Sequence, residues 1–216
     1  RVVSLIDLAP SMLALAGQPL PAWMEGRVIL GGSFPARDAV FAARDRCGDA
    51  QDRIRAVITG DHLLVRNFEP ALPRLNWSGY KEASYPGMPL LRVLHAAGRL
   101  DPLQAEWLQP DREEVELYDL RSDPLSVRNA AAEPGSQTAL TGLRGKLDTW
   151  IQSSGDRGAL PEPPTEPTLE EIQKAKRLDY QRTWEKRGLS AEPSDEERLN
   201  WWLKSYHLPE HSSPPR

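Results

Sequence analysis

Apolar positions recur along the chain with two different periods. In "VVSLIDLAPSMLALAG", residues 2–17, the run Val2, Val3, Leu5 and Ile6 predicts a strand-like core edge. Asp7 followed by Pro10 predicts a first helical turn, where the missing proline N–H costs nothing. Leu8, Met12 and Leu15 then fall on one helical face, and Gly17 supplies a left-handed stop. A chain that opens on such an element, with no Met, charged lead or signal peptide before it, is expected to be the C-terminal remainder of a longer protein.

Period two takes over further on. Val40 to Ala43 is a short apolar run, and Ile54, Ala56 and Ile58 alternate with Arg53, Arg55 and Val57. "TGD" at 59–61 is a tight-turn signal before "HLLVRNF", and "VELYDL" at 115–120 alternates again ahead of the turn-forming Asp123-Pro124. The pattern predicts four short antiparallel strands at 39–43, 53–59, 62–67 and 115–119. Leu140, Leu143, Leu147, Trp150 and Ile151 recur at helical spacing, so 136–153 is a predicted amphipathic helix lying on that sheet, with Leu147 and Trp150 as anchors. Between the third and fourth strands, prolines at 70, 73, 86, 89, 102 and 110 mark a long excursion carrying helix-like "LLRVLHAAGRL" and "DPLQAEWL".

Beyond Gly158 the character changes. "ALPEPPTEPTLEE" is a proline-rich, extended linker. Two charged helices follow, at 168–187 and 194–206, with narrow apolar stripes that include Trp184, Leu199, Trp202 and Leu203. Stripes that narrow do not fold alone, so these helices must dock, either back over the body or on a partner or second copy of the chain.

Composition narrows the function. The 216 residues carry 27 basic and 31 acidic side chains for a net charge of −4, which removes any general electrostatic reason for binding nucleic acid. Apolar content is 39% and mean hydropathy −0.54, with 20 prolines against 15 glycines, so part of the chain is solvated connection. The single cysteine, Cys47, has no partner for a disulfide or a zinc motif, and its surroundings predict a small, buried or half-buried side chain. No run approaches the roughly 20 apolar residues of a membrane span.

"VSLIDLAPSMLALAG", "GR" at 26–27, "AVFAARDR", "DRIRAVITGDHLLVRNFEP" and "VELYDLRSDPLSVRNAA" before a Leu-rich helix ending in Trp150 follow one another in a known order. Over residues 2–155 the chain resembles the C-terminal third of type I sulfatases, formylglycine-dependent sulfuric-ester hydrolases of the alkaline-phosphatase-like superfamily. The resemblance implies an α/β parent fold, of which this chain would be the C-terminal α+β part: a sheet of about four antiparallel strands packed by one helix. Residues 1–30 would be the last strand and helix of the large α/β domain, 31–158 the C-terminal subdomain, and 159–216 the linker and helical tail. It also implies hydrolysis of sulfate esters or N-sulfates of sulfated carbohydrate, with a missing N-terminal catalytic domain as the partner and calcium as the cofactor of the full-length parent.

This chain is expected to bind no cofactor and to be inactive alone. The family's nucleophile is a cysteine in a C-x-P-S-R context, converted to formylglycine, whereas Cys47 stands in "RDRCGDAQ". Asp45, Asp49 and Asp52 do not match a calcium-loop pattern and predict a solvated turn. No catalytic or metal residue is therefore assigned. Arg44, Asp45 and Arg46, where a short strand runs into a loop, are substrate-binding candidates, because guanidinium groups suit sulfate and uronate oxygens; His95 in "RVLHAAG" is a fourth. "DHLLV" and "SVRNAA" replace the family's usual basic-aromatic stretch and E-x-x-N-L ending. A non-catalytic module that binds a partner or carbohydrate, and a fragment of a related phosphodiesterase or phosphonate hydrolase, are the alternatives.

Overall fold

The computed structural model describes residues 2–32, 34, 37–161 and 163–209. Its elements are, in chain order, a 3-10 turn at Leu5–Asp7, α1 (Leu8–Leu15), β1 (Val40–Cys47), β2 (Ala50–Ile58), β3 (His62–Asn67), α2 (Gly79–Ser84), α3 (Gly87–Ala96), α4 (Pro102–Glu106), β4 (Val115–Asp119), a second 3-10 turn at Pro134–Ser136, α5 (Gln137–Ser154), α6 (Leu169–Lys186) and α7 (Asp195–Ser205). They divide into two compact units. The first comprises residues 1–43, 54–67 and 114–157, and the second 44–53, 68–113 and 158–216. The sheet order is β1-β2-β3-β4, so the fold is α+β, with the four predicted strands and the predicted helix all present.

In the first unit Thr59 closes the predicted tight turn, its hydroxyl accepting from the His62 N–H at 3.0 Å. That fixes the β2–β3 register as Val57 opposite Leu64, and β4 adds Leu117 opposite Leu64. The row Val57, Leu64, Leu117 is the floor of the core, and Leu140, Leu143 and Leu147 of α5 cover it, all six buried. Asn129 ties down the outer side of β4, accepting from the Leu117 N–H at 2.9 Å and donating to the Val115 carbonyl at 3.1 Å.

Two features of this unit depart from the plain apolar pattern. The core face of β2 is not Ile54, Ala56 and Ile58 but the alternate set that includes Arg55 and Val57, which are 1% and 0% exposed. Arg55 tolerates that position because its guanidinium meets the Asp156 carboxylate through two bonds of 2.6 and 2.8 Å, so the charge enters already paired. The strand-like opening is also absent: only Val2 pairs, in an isolated bridge to Arg37, and Leu5 to Asp7 already turn. The cause is the Asp7 carboxylate, which accepts from the Ser4 N–H at 2.9 Å and starts the helical course three residues earlier. Leu5, Met12 and Trp23 remain more than 60% exposed.

In the second unit β1 does not run into a loop at Arg46. It continues to Cys47 and turns tightly through Gly48, whose φ of 64° is open to glycine at little steric cost, into β2. Cys47 is exposed, against the expectation of burial. Asp49 and Asp52 are buried rather than solvated: Asp49 accepts from the Ser78 hydroxyl at 3.0 Å and the Gly79 N–H at 2.8 Å, and Asp52 receives the Arg112 guanidinium through two bonds. The helices beyond the prolines fold back onto the excursion. α6 packs on α2 and α7 on α3, burying Tyr180, Trp184 and Ala83 against Trp77, Leu189, Trp201 and Trp202. Arg187 lies over the rings of Trp184 and Trp201 at 4.5 and 4.4 Å, a cation–π stack in the middle of this cluster.

Candidate functional site

The first unit holds an open cleft of about 970 Å3. One wall begins at Asp7, which is fully buried. Its carboxylate accepts from the Ser4 and Arg27 backbone N–H groups, each at 2.9 Å, and from the Arg37 guanidinium. Ser11 extends the clamp, its hydroxyl donating to the Asp7 carbonyl at 2.6 Å and accepting from the Ile29 N–H at 2.8 Å. Gly26 is required between them, since a Cβ there would stand 2.0 Å from the Ile6 carbonyl oxygen. The segment around residue 27 is thus stitched to the start of α1, and Arg27 and Arg37 are carried to the edge of the cleft.

The opposite wall is the face of α5 bearing Gly142, Gly145, Lys146, Thr149 and Ser153. Neither glycine has another group within 4 Å of where a Cβ would sit, so a side chain at either position would project into open space. Phe41 and Trp150 form the apolar part, their rings parallel to within 3° and 5.1 Å apart. Arg27, Arg37 and Lys146 outnumber Glu25 and Asp38 around the rim. Cations, hydroxyls and an aromatic surface together suit a ligand that presents anionic oxygens and C–H faces at once.

Burial alone would raise the pKa of Asp7, but the hydrogen bonds from Arg27 and Ser4 and the charges of Arg37 and Arg27 outweigh it and hold the carboxyl below its ordinary value. The unfolded chain therefore binds the Asp7 proton more readily than the folded one. The stability Asp7 supplies is complete above the unfolded value of about 4 and is lost as pH falls through the lower folded value. Asp7→Asn is expected to destabilise the first unit by about 2 kcal/mol at pH 7, with the gap from the unsubstituted chain shrinking below pH about 4. Chemical denaturation at several pH values, read by amide exchange in α1 and β3, checks it; a gap independent of pH would refute the role.

The residues singled out in the sequence lie in the second unit. Arg44 and Arg46 share a face of β1, with Asp45 on the other. Arg44 makes an ion pair of 3.8 Å with Asp52, the carboxylate that also holds Arg112. His95 is exposed in the last turn of α3. None of these four lines the cleft. Arg27, Arg37 and Lys146 were missed because their signal is weak: a Gly-Arg pair inside a Gly/Pro-rich connection, and two glycines interrupting an amphipathic helix. Among the described residues no three His, Cys, Asp or Glu side chains gather into a cation shell, and Cys47 is followed by Gly-Asp, so the described residues do not fit a calcium or formylglycine centre. Nor is any helix among the described residues long and apolar enough to cross a membrane.

No family model matches the sequence. Over 163 residues, 75% of its length, the chain is 34% identical to an ulvan-active sulfatase of Formosa agariphila, of which it covers 27%. Among solved structures it is similar to BT1596, a 2-O GAG sulfatase, at 18% identity and a TM-score of 0.45, covering 69% of this chain and 25% of that one. It is similar also to BT4656, solved with its substrate D-glucosamine-2-N,6-O-disulfate, at 18% identity and a TM-score of 0.44, covering 72% and 25%. On the sequence identity that runs through three quarters of its length, the chain belongs with the sulfatases, and it spans about a quarter of the sulfatase it matches.

Proposed function

We propose that the chain is the C-terminal part of a sulfate-ester hydrolase acting on sulfated carbohydrate, and that its own contribution is to hold the saccharide. The observation that carries this reading is the 34% identity to a sulfatase whose name specifies ulvan. The cleft supports it: Arg27, Arg37 and Lys146 offer donors to sulfate or uronate oxygens, Ser4, Thr149 and Ser153 offer hydroxyls, and Phe41 with Trp150 gives sugar C–H groups an apolar surface. The sulfur-cleaving nucleophile, and calcium to neutralise the sulfate, would be supplied by a preceding catalytic domain, with which these 216 residues act in one polypeptide.

Two assays test it. The 216-residue chain with an aryl sulfate and calcium is expected to give no turnover above a buffer blank. In a polypeptide joined to its upstream coding sequence, Arg27→Ala with Lys146→Ala is expected to lower kcat/KM on a sulfated oligosaccharide about tenfold to a hundredfold, as two lost charged contacts should, while the aryl sulfate rate stays within about twofold. Turnover by the repurified chain alone, or equal loss on both substrates, would overturn the proposal.

A further inference from the structure

We infer that the second unit carries a binding groove of its own for an acidic saccharide, between the β1–β2 turn, the connection before α2 and the first half of α6. The groove measures about 560 Å3, and its wall includes Gln51, Asn76, Trp77, Gln173, Lys174 and Arg177. Trp77 is held in place: the Arg177 guanidinium lies 4.6 Å from its ring centroid, and Tyr180 meets it edge-on at 5.9 Å. An indole fixed in this way keeps its position whether or not a ligand is present, so binding would order little that is mobile.

The amides are half used. Asn76 donates its side-chain N–H to the Gln51 carbonyl at 2.6 Å, and Gln173 donates to the Asp49 carbonyl at 3.4 Å. The donor ends thus brace the backbone, and the acceptor ends, Asn76 Oδ1 and Gln173 Oε1, are left for hydroxyl groups. Two carboxylates also border the groove, but Asp49 is buried and committed to Ser78 and Gly79, which leaves Glu170 as the exposed anion. Against it stand Arg177, which shares Glu192 at 3.4 Å, and Lys174, which is exposed and makes no ion pair among the described residues. A pyranose with a carboxylate or sulfate satisfies the whole set: hydroxyls donate to the amide oxygens, C–H groups lie along Leu72 and Trp77, and the anion faces Lys174 and Arg177. The inference stands on residues of the second unit, separately from the cleft in the first.

The test uses the 216-residue chain and three tetrasaccharides: hyaluronan, which carries carboxylates only, chondroitin sulfate, which adds sulfate, and neutral cellotetraose. Titrations follow the Trp77 indole N–H resonance, assigned through Trp77→Phe. The expected result is saturable movement of that resonance with at least one acidic ligand and none with cellotetraose. Lys174→Glu should weaken the binding that Trp77 reports tenfold or more, whereas Lys146→Glu, which alters the cleft of the first unit, should leave the Trp77 titration within twofold. A preference for one acidic ligand identifies the anion recognised. An unmoved Trp77 resonance, or binding indifferent to Lys174→Glu, overturns the groove. If binding instead falls with Lys146→Glu alone, the groove is overturned while the saccharide-holding cleft stands. Loss with Lys174→Glu alone establishes the groove whatever the fate of the cleft.

Discussion

Leu147→Ala is expected to destabilise the first unit by about 3 kcal/mol, a large fraction of what a domain of this size holds in reserve. Leu147 is 1% exposed and sits on the Leu64–Leu117 row with Val57 beside it. Truncation removes its transfer energy and leaves a cavity under a helix that already carries Gly142 and Gly145, each about 1 kcal/mol less favourable than Ala in a helix interior. Trp150→Ala is expected to cost less, about 2 kcal/mol, because the ring is only half-buried and its main loss is the stack on Phe41. Two compact units make a single global transition unsafe to assume, so the readout should be local: amide exchange in β3 and β4, where protection should fall for these variants. A change under about 0.5 kcal/mol at Leu147 would mean that α5 does not lie on the sheet.

Glu82→Ala should have the largest effect in the second unit, about 3 to 5 kcal/mol. Glu82 is 3% exposed and accepts from two arginines, Arg92 Nη1 at 3.1 Å and Arg198 Nη1 at 2.6 Å. Arg92 in turn grips Asp195 at 2.9 and 3.0 Å, and Asp195 also meets Arg198. The network joins α2, α3 and α7. Removing its central carboxylate takes one of its two acidic partners from the Arg198 side chain, only 8% exposed, and leaves it the half-buried Asp195 alone. Asp195 is half-buried and is worth correspondingly less. Faster amide exchange in α3 and α7, together with new protease cleavage around residues 195–205, is the expected signature. If instead the tail helices keep their protection, the aromatic cluster of Tyr180, Trp184 and Trp201 holds them unaided.

How far the sequence reached can be judged element by element. The Thr59–Asp61 turn, the strands on either side of it, β4 and α5 were all legible, because each is encoded by a local period or by turn chemistry that needs no distant partner. The two helices after the prolines were legible as helices from their narrow apolar stripes, and each is opened by a capping box, Thr168 with Glu171 and Ser194 with Glu197. The groups that line the cleft were not, since neither a Gly-Arg pair at 26–27 nor a glycine in a helix announces what lies across from it.

What the sequence alone determined is therefore the list of elements and their order, together with the absence of a C-x-P-S-R cysteine. What only the tertiary structure decided is where polar side chains go. The core face of β2 was settled by Asp156, about a hundred residues away, which lets Arg55 be buried while Ile54, Ala56 and Ile58 stay half-covered. Asp7, Asp49 and Asp52 became buried anchors because Arg37, Ser78 and Arg112 came to meet them. The tail found its cover on α2 and α3 rather than remaining in search of one. The physical reason is common to all of these: apolar periodicity reports how one residue relates to its near neighbours, whereas burying a charge depends on a partner that is local only in space.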